Sequence, residues 1–162
     1  MDNKEKKFGF KILVYLVLIL YISILISILI FKNGDASILS GFMNNKSFIE
    51  KLSFAQVIPF ATIKEFIFDA PTYSIAIRNL LGNIIIFCPL GFLLPIAFTR
   101  LSNWKKIFIV SLGISLLIEV IQLITGYGFF DVDDLILNVF GAMIGYFVYK
   151  LFVKNIMKNK RL

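Results

Sequence analysis

Residues 12–31 read ILVYLVLILYISILISILIF, an uncharged run held between Lys11 and Lys32. A helix rises about 1.5 Å per residue, so about 20 apolar residues cross a hydrocarbon core about 30 Å thick. The run is longer than the apolar stretch of about 7–15 residues usual in a secretory signal, and no small-residue cleavage pattern follows it. It is therefore expected to be a retained membrane-spanning helix. Three more stretches qualify: Asn79 to Thr99 between Arg78 and Arg100, about Ile107 to Thr125, and about Leu135 to Val153. Composition agrees, with 59% hydrophobic and 17% charged residues and a mean hydropathy of +0.87. A soluble chain so apolar could not cover its core with polar surface. The expected fold is all-α, a polytopic membrane bundle of four transmembrane helices with short interfacial helices in the first outer loop.

Basic residues orient the bundle. Lys4, Lys6, Lys7 and Lys11 precede the first span, Arg100, Lys105 and Lys106 lie between the second and third, and Lys150, Lys154, Lys158, Lys160 and Arg161 gather at the end. The connection GYGFFDVDD between the third and fourth spans has no basic residue. By the positive-inside rule both termini face the cytoplasm of a multi-pass plasma-membrane protein. The chain then divides into a basic N-terminus (1–11), a first helix (12–31), an outer loop (33–77), a three-helix core (79–153) and a basic tail (154–162). That tail reads as a topology signal, or alternatively as a sensor of anionic lipid.

On this topology polar residues from three spans meet at one depth. Asn79 and Asn83 open the second span, Glu119 and Gln122 close the third, and Asp134 and Asn138 open the fourth, all within roughly 10 Å of the outer boundary. The phases agree. Ser111, Ser115, Glu119 and Gln122 form one helical stripe, and Asp134, Asn138, Gly141 and Gly145 another. An ionisable group inside a membrane span costs at least about 2.5–3.5 kcal/mol at the centre, so Glu119 is a functional candidate by default. Amides such as Asn83 and Asn138 are as readily explained by hydrogen bonds between helices. Gly141 and Gly145 form a GxxxG pair that allows close helix approach. Pro89 removes the donor to the Ile85 carbonyl, and Gly91 loosens the next turn, so the second span is expected to kink.

In the outer loop Ser47-x-x-Glu50 and Thr62-x-x-Glu65 read as capping boxes, each opening a short helix, with Pro59 between them. These helices would either cover the polar site or rest at the lipid interface. Asp133 or Asp134 is expected to cap the fourth span. DVDD lacks the glycine and closing glutamate of an EF-hand loop. There is no histidine, and the single cysteine, Cys88, allows no intrachain disulfide and no cysteine metal site. No metal, cofactor or nucleic-acid partner is expected.

Four ordered motifs carry a resemblance. VIPFATI (57–63), RNLLGNIIIFCPLGFLLP (78–95), IEVIQ (118–122) and FDVDDLILNVFGAMIGY (130–146) resemble the VanZ-like family of bacterial membrane proteins over roughly residues 57–149. The resemblance implies that Pro59 and Phe60 belong to the loop motif, and Asn79, Gly82, Asn83, Phe87, Pro89 and Gly91 to the second-span motif. It likewise assigns Glu119 and Gln122 to the third motif, and Asp131, Asp133, Asp134, Asn138, Gly141 and Gly145 to the last. Many members carry an arginine shortly before the FD pair, where this chain has Gly128 or Phe129, so this site is expected to be more acidic. The namesake is associated with low-level resistance to the glycopeptide teicoplanin.

Four readings of function are compatible with these residues. A binding module would hold an envelope lipid, a glycopolymer precursor or a glycopeptide, with Asn79, Asn83, Gln122, Asp131, Asp133 and Asn138 as the binding set. An enzyme acting on such a molecule would use Glu119 as acid or base, with Asp134 raising its pKa. A transporter of lipid or small solutes would need a through-path, and the inner halves of the spans are apolar. A purely structural accessory subunit is the fourth possibility.

Overall fold

A computed structural model of the chain describes residues 3–30, 41, 43, 45–69 and 73–159. Phe31, the last residue of the first apolar run, Lys32 beyond it, and Lys160 and Arg161 of the basic tail lie outside them. Among the described residues the α-helices with described bounds are, in order, α1 (Asn3–Ile30), α2 (Phe48–Leu52), α3 (Ala61–Phe68), α4 (Tyr73–Ala97), α5 (Trp104–Thr125) and α6 (Val132–Asn159). A 3-10 turn, Thr99–Leu101, joins α4 to α5. Four helices are long and apolar enough to cross a membrane: Phe8–Ile28, Ile77–Ala97, Trp104–Thr125 and Val132–Val153. The all-α architecture with four candidate spans stands as expected, and α1, α4 and α6 extend beyond their apolar runs.

Helix α4 is the axis of the bundle, and α6 lies parallel to it. Residues later in α4 meet residues later in α6: Gly141 packs on the Ile84 backbone and Gly145 on the Cys88 carbonyl. A Cβ at Gly145 would stand 1.8 Å from that carbonyl oxygen, and one at Gly91 would stand 1.7 Å from the Ala142 oxygen. Glycines from both helices therefore let backbone touch backbone, and Gly91 serves this contact. Gly82 meets nothing within 4 Å among the described residues.

Helix α4 remains helical through Pro89 and Pro95. The turn at Pro89 is served from outside. The Tyr21 hydroxyl of α1 donates to the Ile86 carbonyl at 2.6 Å, in the turn just before Pro89. Helix α1 thereby packs against α4, with Val14, Leu18 and Leu25 joining a core of Phe87, Leu90, Leu94, Ile107, Ile118, Ala142 and Tyr146.

The two ends of the bundle differ in character. At the end where α1 begins and α6 finishes, Lys11, Lys105 and Lys150 lie over the rings of Tyr15, Trp104 and Tyr146 at 5.6–5.8 Å. Tyr146 also donates to the Ser102 carbonyl at 2.7 Å, tying α6 to the α4–α5 connection. Asn103 caps α5 by accepting the Lys105 N–H at 2.9 Å. The opposite end carries α2, α3 and the α5–α6 loop, and there the polar residues collect.

Candidate functional site

Helix α5 stops at Gly126, whose φ of 73° suits a residue without a Cβ and whose N–H returns to the Gln122 carbonyl at 2.9 Å. The chain then doubles back, so that the Asp131 N–H donates to Glu119 Oε2 at 3.0 Å. Glu119 is 1% exposed, and this backbone donor at the start of α6 is part of what compensates its burial. The Asp131 carboxylate in turn accepts the Asp133 N–H at 2.8 Å and caps α6. The cap is thus Asp131, not Asp133 or Asp134, because α6 begins at Val132, two or three residues earlier than those assignments require.

Asp133 does something its place in the sequence does not announce. Fully buried, it accepts the N–H of Phe60 at 2.5 Å and of Ile63 at 3.0 Å, so it caps α3 from about seventy residues away in sequence. The Thr62–Glu65 capping box is accordingly not formed. Phe60, in the left-handed region at φ 66°, occupies the cap position, and Thr62 is already inside the helix. Ser47 and Glu50 do form a reciprocal capping box at α2. Two further contacts fasten this loop. Gln56 pairs with the 130–132 segment through Gln56 N–H to Phe130 O at 2.8 Å and Val132 N–H to Gln56 O at 3.0 Å. Buried Lys51 donates to the Ile124 carbonyl at the end of α5 at 2.8 Å.

The docked loop and the bundle enclose a cleft of about 340 Å³. Glu65, Asp131 and Asp134 bring carboxylates to it, Gln56, Asn79 and Gln122 bring amides, and Thr62 a hydroxyl. Phe54, Phe66 and Phe129 supply aromatic surface, and no lysine or arginine among the described residues lines it. Burial pushes the Asp131 carboxyl above the ordinary aspartate value of 3.8. The Thr62 hydroxyl and the Asp133 N–H oppose that rise, and the charges of Asp134 and Asp133 add to it. Asp134 accepts a hydrogen bond from the Asn83 amide. Among the described residues no group of three carboxylates is placed to hold a metal ion.

The sequence-predicted residues therefore separate into two shells. Asn79, Gln122, Asp131 and Asp134 line the cleft. Asn83, Glu119, Asp133 and Asn138 are buried behind it. Asn138 donates to the Ser115 hydroxyl at 2.9 Å, while its Oδ1 has no hydrogen-bond partner among the described residues. Pro59 sits at the exposed turn before Phe60, Gly91, Gly141 and Gly145 form the α4–α6 contact, and Gly82 and the exposed Pro89 lie outside it. Sequence reasoning missed Gln56, Lys51 and Glu65 as members of the site. A signal for Glu65 was available: Thr62, Glu65 and Asp69 fall at helical offsets 0, 3 and 7, the polar face of an amphipathic helix. Gly128 and Phe129, just before the Phe130–Asp131 pair, both line the cleft.

Four helices among the described residues that are long and apolar enough to span, with a carboxylate- and amide-lined cleft at one end of the bundle, fit a multi-pass membrane protein. The chain belongs to the VanZ/LLP1 family, whose model matches residues 12–153. It is similar to Protein VanZ of Enterococcus faecium, with 36% identity over 83 residues that make up 51% of this chain and 51% of that one. The chain thus spans about half the length of the curated relative it matches. No solved structure matches it.

Proposed function

We propose that this VanZ-family protein resides in the bacterial plasma membrane with its cleft facing outward, and that the cleft holds the polar headgroup of an envelope lipid or lipid-linked glycopolymer precursor. The observation that carries this reading is the convergence of three carboxylates and three amides with aromatic walls and no cationic lining residue among the described residues. Carboxylates and amides together accept and donate to hydroxyls, and carboxylates attract ammonium groups. Aromatic faces add apolar contact with the carbon skeleton of a sugar or amine. The ligand class is therefore a hydroxyl-rich or amine-bearing headgroup. Outward placement rests on the division of lysine and arginine between the two ends.

Within this reading Asp131, Asp134 and Glu65 contact the headgroup. Glu119 and Asp133 hold the frame, one through the Asp131 amide and the other through the α3 amides. Altered teicoplanin susceptibility is the phenotype to score, on the resemblance to the family's namesake. The test compares a deletion strain with strains carrying Asp131→Asn or Glu65→Gln. Lipid and envelope-precursor profiles and teicoplanin susceptibility are measured beside membrane insertion. The expected result is that both variants insert as wild type and reproduce the deletion profile. Variants that insert normally and leave both readouts as in wild type would overturn the cleft as the working site.

A further inference from the structure

At the opposite end of the bundle a second cavity, of about 490 Å³, opens between α1 and the 3-10 turn that follows α4. Its volume lies in the range of about 300–1,000 Å³ typical of small-ligand sites. Two cations from distant parts of the chain converge on it, Lys11 of α1 and Arg100 of the turn, together with the hydroxyls of Tyr15 and Thr99. No carboxylate among the described residues lines it. We propose that this cavity binds the phosphate of an anionic phospholipid headgroup in the leaflet at that end.

Position favours a lipid as the source of the phosphate. Lys11 immediately precedes the apolar run that begins at Ile12, and Arg100 lies three residues beyond the end of α4. Both therefore stand where a spanning helix passes from hydrocarbon into the headgroup layer. The Tyr15 ring packs on Phe98 with centroids 5.7 Å apart, and Lys11 Nζ lies 5.8 Å from the Tyr15 centroid. This aromatic wall holds the ammonium at the cavity and gives the glycerol region of a lipid an apolar surface. The Arg100 carbonyl accepts from Lys106 Nζ at 2.9 Å, which fixes the turn and brings a third cation close. A guanidinium, an ammonium and a hydroxyl are complementary to a phosphodiester, which offers oxygens that only accept. A topology signal needs only a count of basic residues on one side. It does not need Lys11 of α1 and Arg100 of the turn to line one cavity.

The test uses the full chain purified in detergent and native mass spectrometry of retained lipid, with phosphatidylglycerol and phosphatidylcholine offered separately. Wild type should retain one phosphatidylglycerol and little phosphatidylcholine. The pair Lys11→Gln with Arg100→Gln should lower that retention at least about tenfold, the loss expected for one or more charge-assisted contacts. The pair Lys158→Gln with Arg161→Gln removes the same charge from the tail and should leave retention unchanged. The charge-conserving pair Lys11→Arg with Arg100→Lys should restore most of it. Should the glutamine pair fail to fold, Arg100→Gln alone gives the reading, because that side chain is exposed; unchanged retention there overturns the site. Equal retention of phosphatidylcholine, or an equal loss from the tail pair, also overturns it. Inorganic phosphate is the arm that separates the two phosphate sources. Displacement of the lipid by an equimolar amount would overturn the lipid assignment.

Discussion

Asp131, Asp133 and Asp134 sit within four positions of one another, and each carboxylate has different work. Asp131 caps α6 and lines the cleft, Asp133 holds α3, and Asp134 meets Asn83. Replacing Asp133 by alanine strands the N–H groups of Phe60 and Ile63. At about 1.5–3 kcal/mol for each hydrogen bond to a charged group, the loss is on the order of 3 kcal/mol or more. Thermal unfolding in detergent should show Asp133→Ala strongly destabilised and Glu65→Gln near wild type; equal midpoints would mean that α3 is held by something else. Asp131 makes a prediction in pH. Its carboxyl titrates above 3.8 in the folded protein because of burial. Between 3.8 and that raised value the folded state keeps a proton that the unfolded chain has lost. Its contribution to stability therefore falls as pH rises through that window. Binding of a cationic probe needs the ionised form, so affinity should fall as pH drops through the raised value. An inflection in an affinity titration that lies above 3.8 and disappears in Asp131→Asn is the expected signature. An identical profile in both proteins would remove Asp131 from the cleft's electrostatics. That these acids gather at one end was legible in the sequence. Which of them caps which helix was not, because the bond from Asp133 to α3 joins segments about seventy residues apart and leaves no periodic trace.

Helices α4 and α6 are held by glycine on both sides of their contact, and the consequence is measurable. Gly91→Ala and Gly145→Ala would each place a methyl under 2 Å from a backbone carbonyl oxygen. Backbone cannot swing aside as a flexible side chain does, so the helices must separate. The cost should reach the upper part of the roughly 1–3 kcal/mol range for overpacking. Gly82→Ala meets open space and should be neutral or stabilising by up to about 1 kcal/mol through helix propensity. Similar unfolding midpoints for all three variants would contradict the close contact. The four spans were legible because twenty apolar residues in a row have few alternatives, and the 141–145 glycine pair was legible from its spacing. The wall formed by α3 was harder to see. Thr62 and Glu65 satisfy a capping-box pattern, and only the distant Asp133 carboxylate shifts the cap to Phe60 and turns those two side chains toward the cleft. Tyr21 is a similar case: a tyrosine in an apolar helix looks like lipid-facing surface until α4 brings its Pro89 turn alongside.

The bundle carries opposite chemistry at its two ends, carboxylates and amides around the cleft and lysine and arginine around the cavity at Lys11 and Arg100. A membrane potential and an anionic leaflet both favour one orientation of such a molecule, with the basic end inward. Topology is therefore the premise on which the outward-facing cleft depends, and it can be tested without knowing any ligand. In a Cys88→Ser background, a single cysteine placed at Asn45 lies in the loop at the cleft end, and one at Asn103 lies in the α4–α5 connection at the basic end. Both positions are exposed, so reactivity reports side rather than burial. A membrane-impermeant maleimide added to intact cells should label the Asn45 variant and leave the Asn103 variant unmodified until the cells are opened. The Asn103 variant should then react fully, which shows that its earlier silence came from the membrane. Labelling of Asn103→Cys in intact cells, with Asn45→Cys protected, would turn the molecule over. The carboxylate cleft would then face the cytoplasm, and outer-leaflet headgroups would be excluded as its ligands.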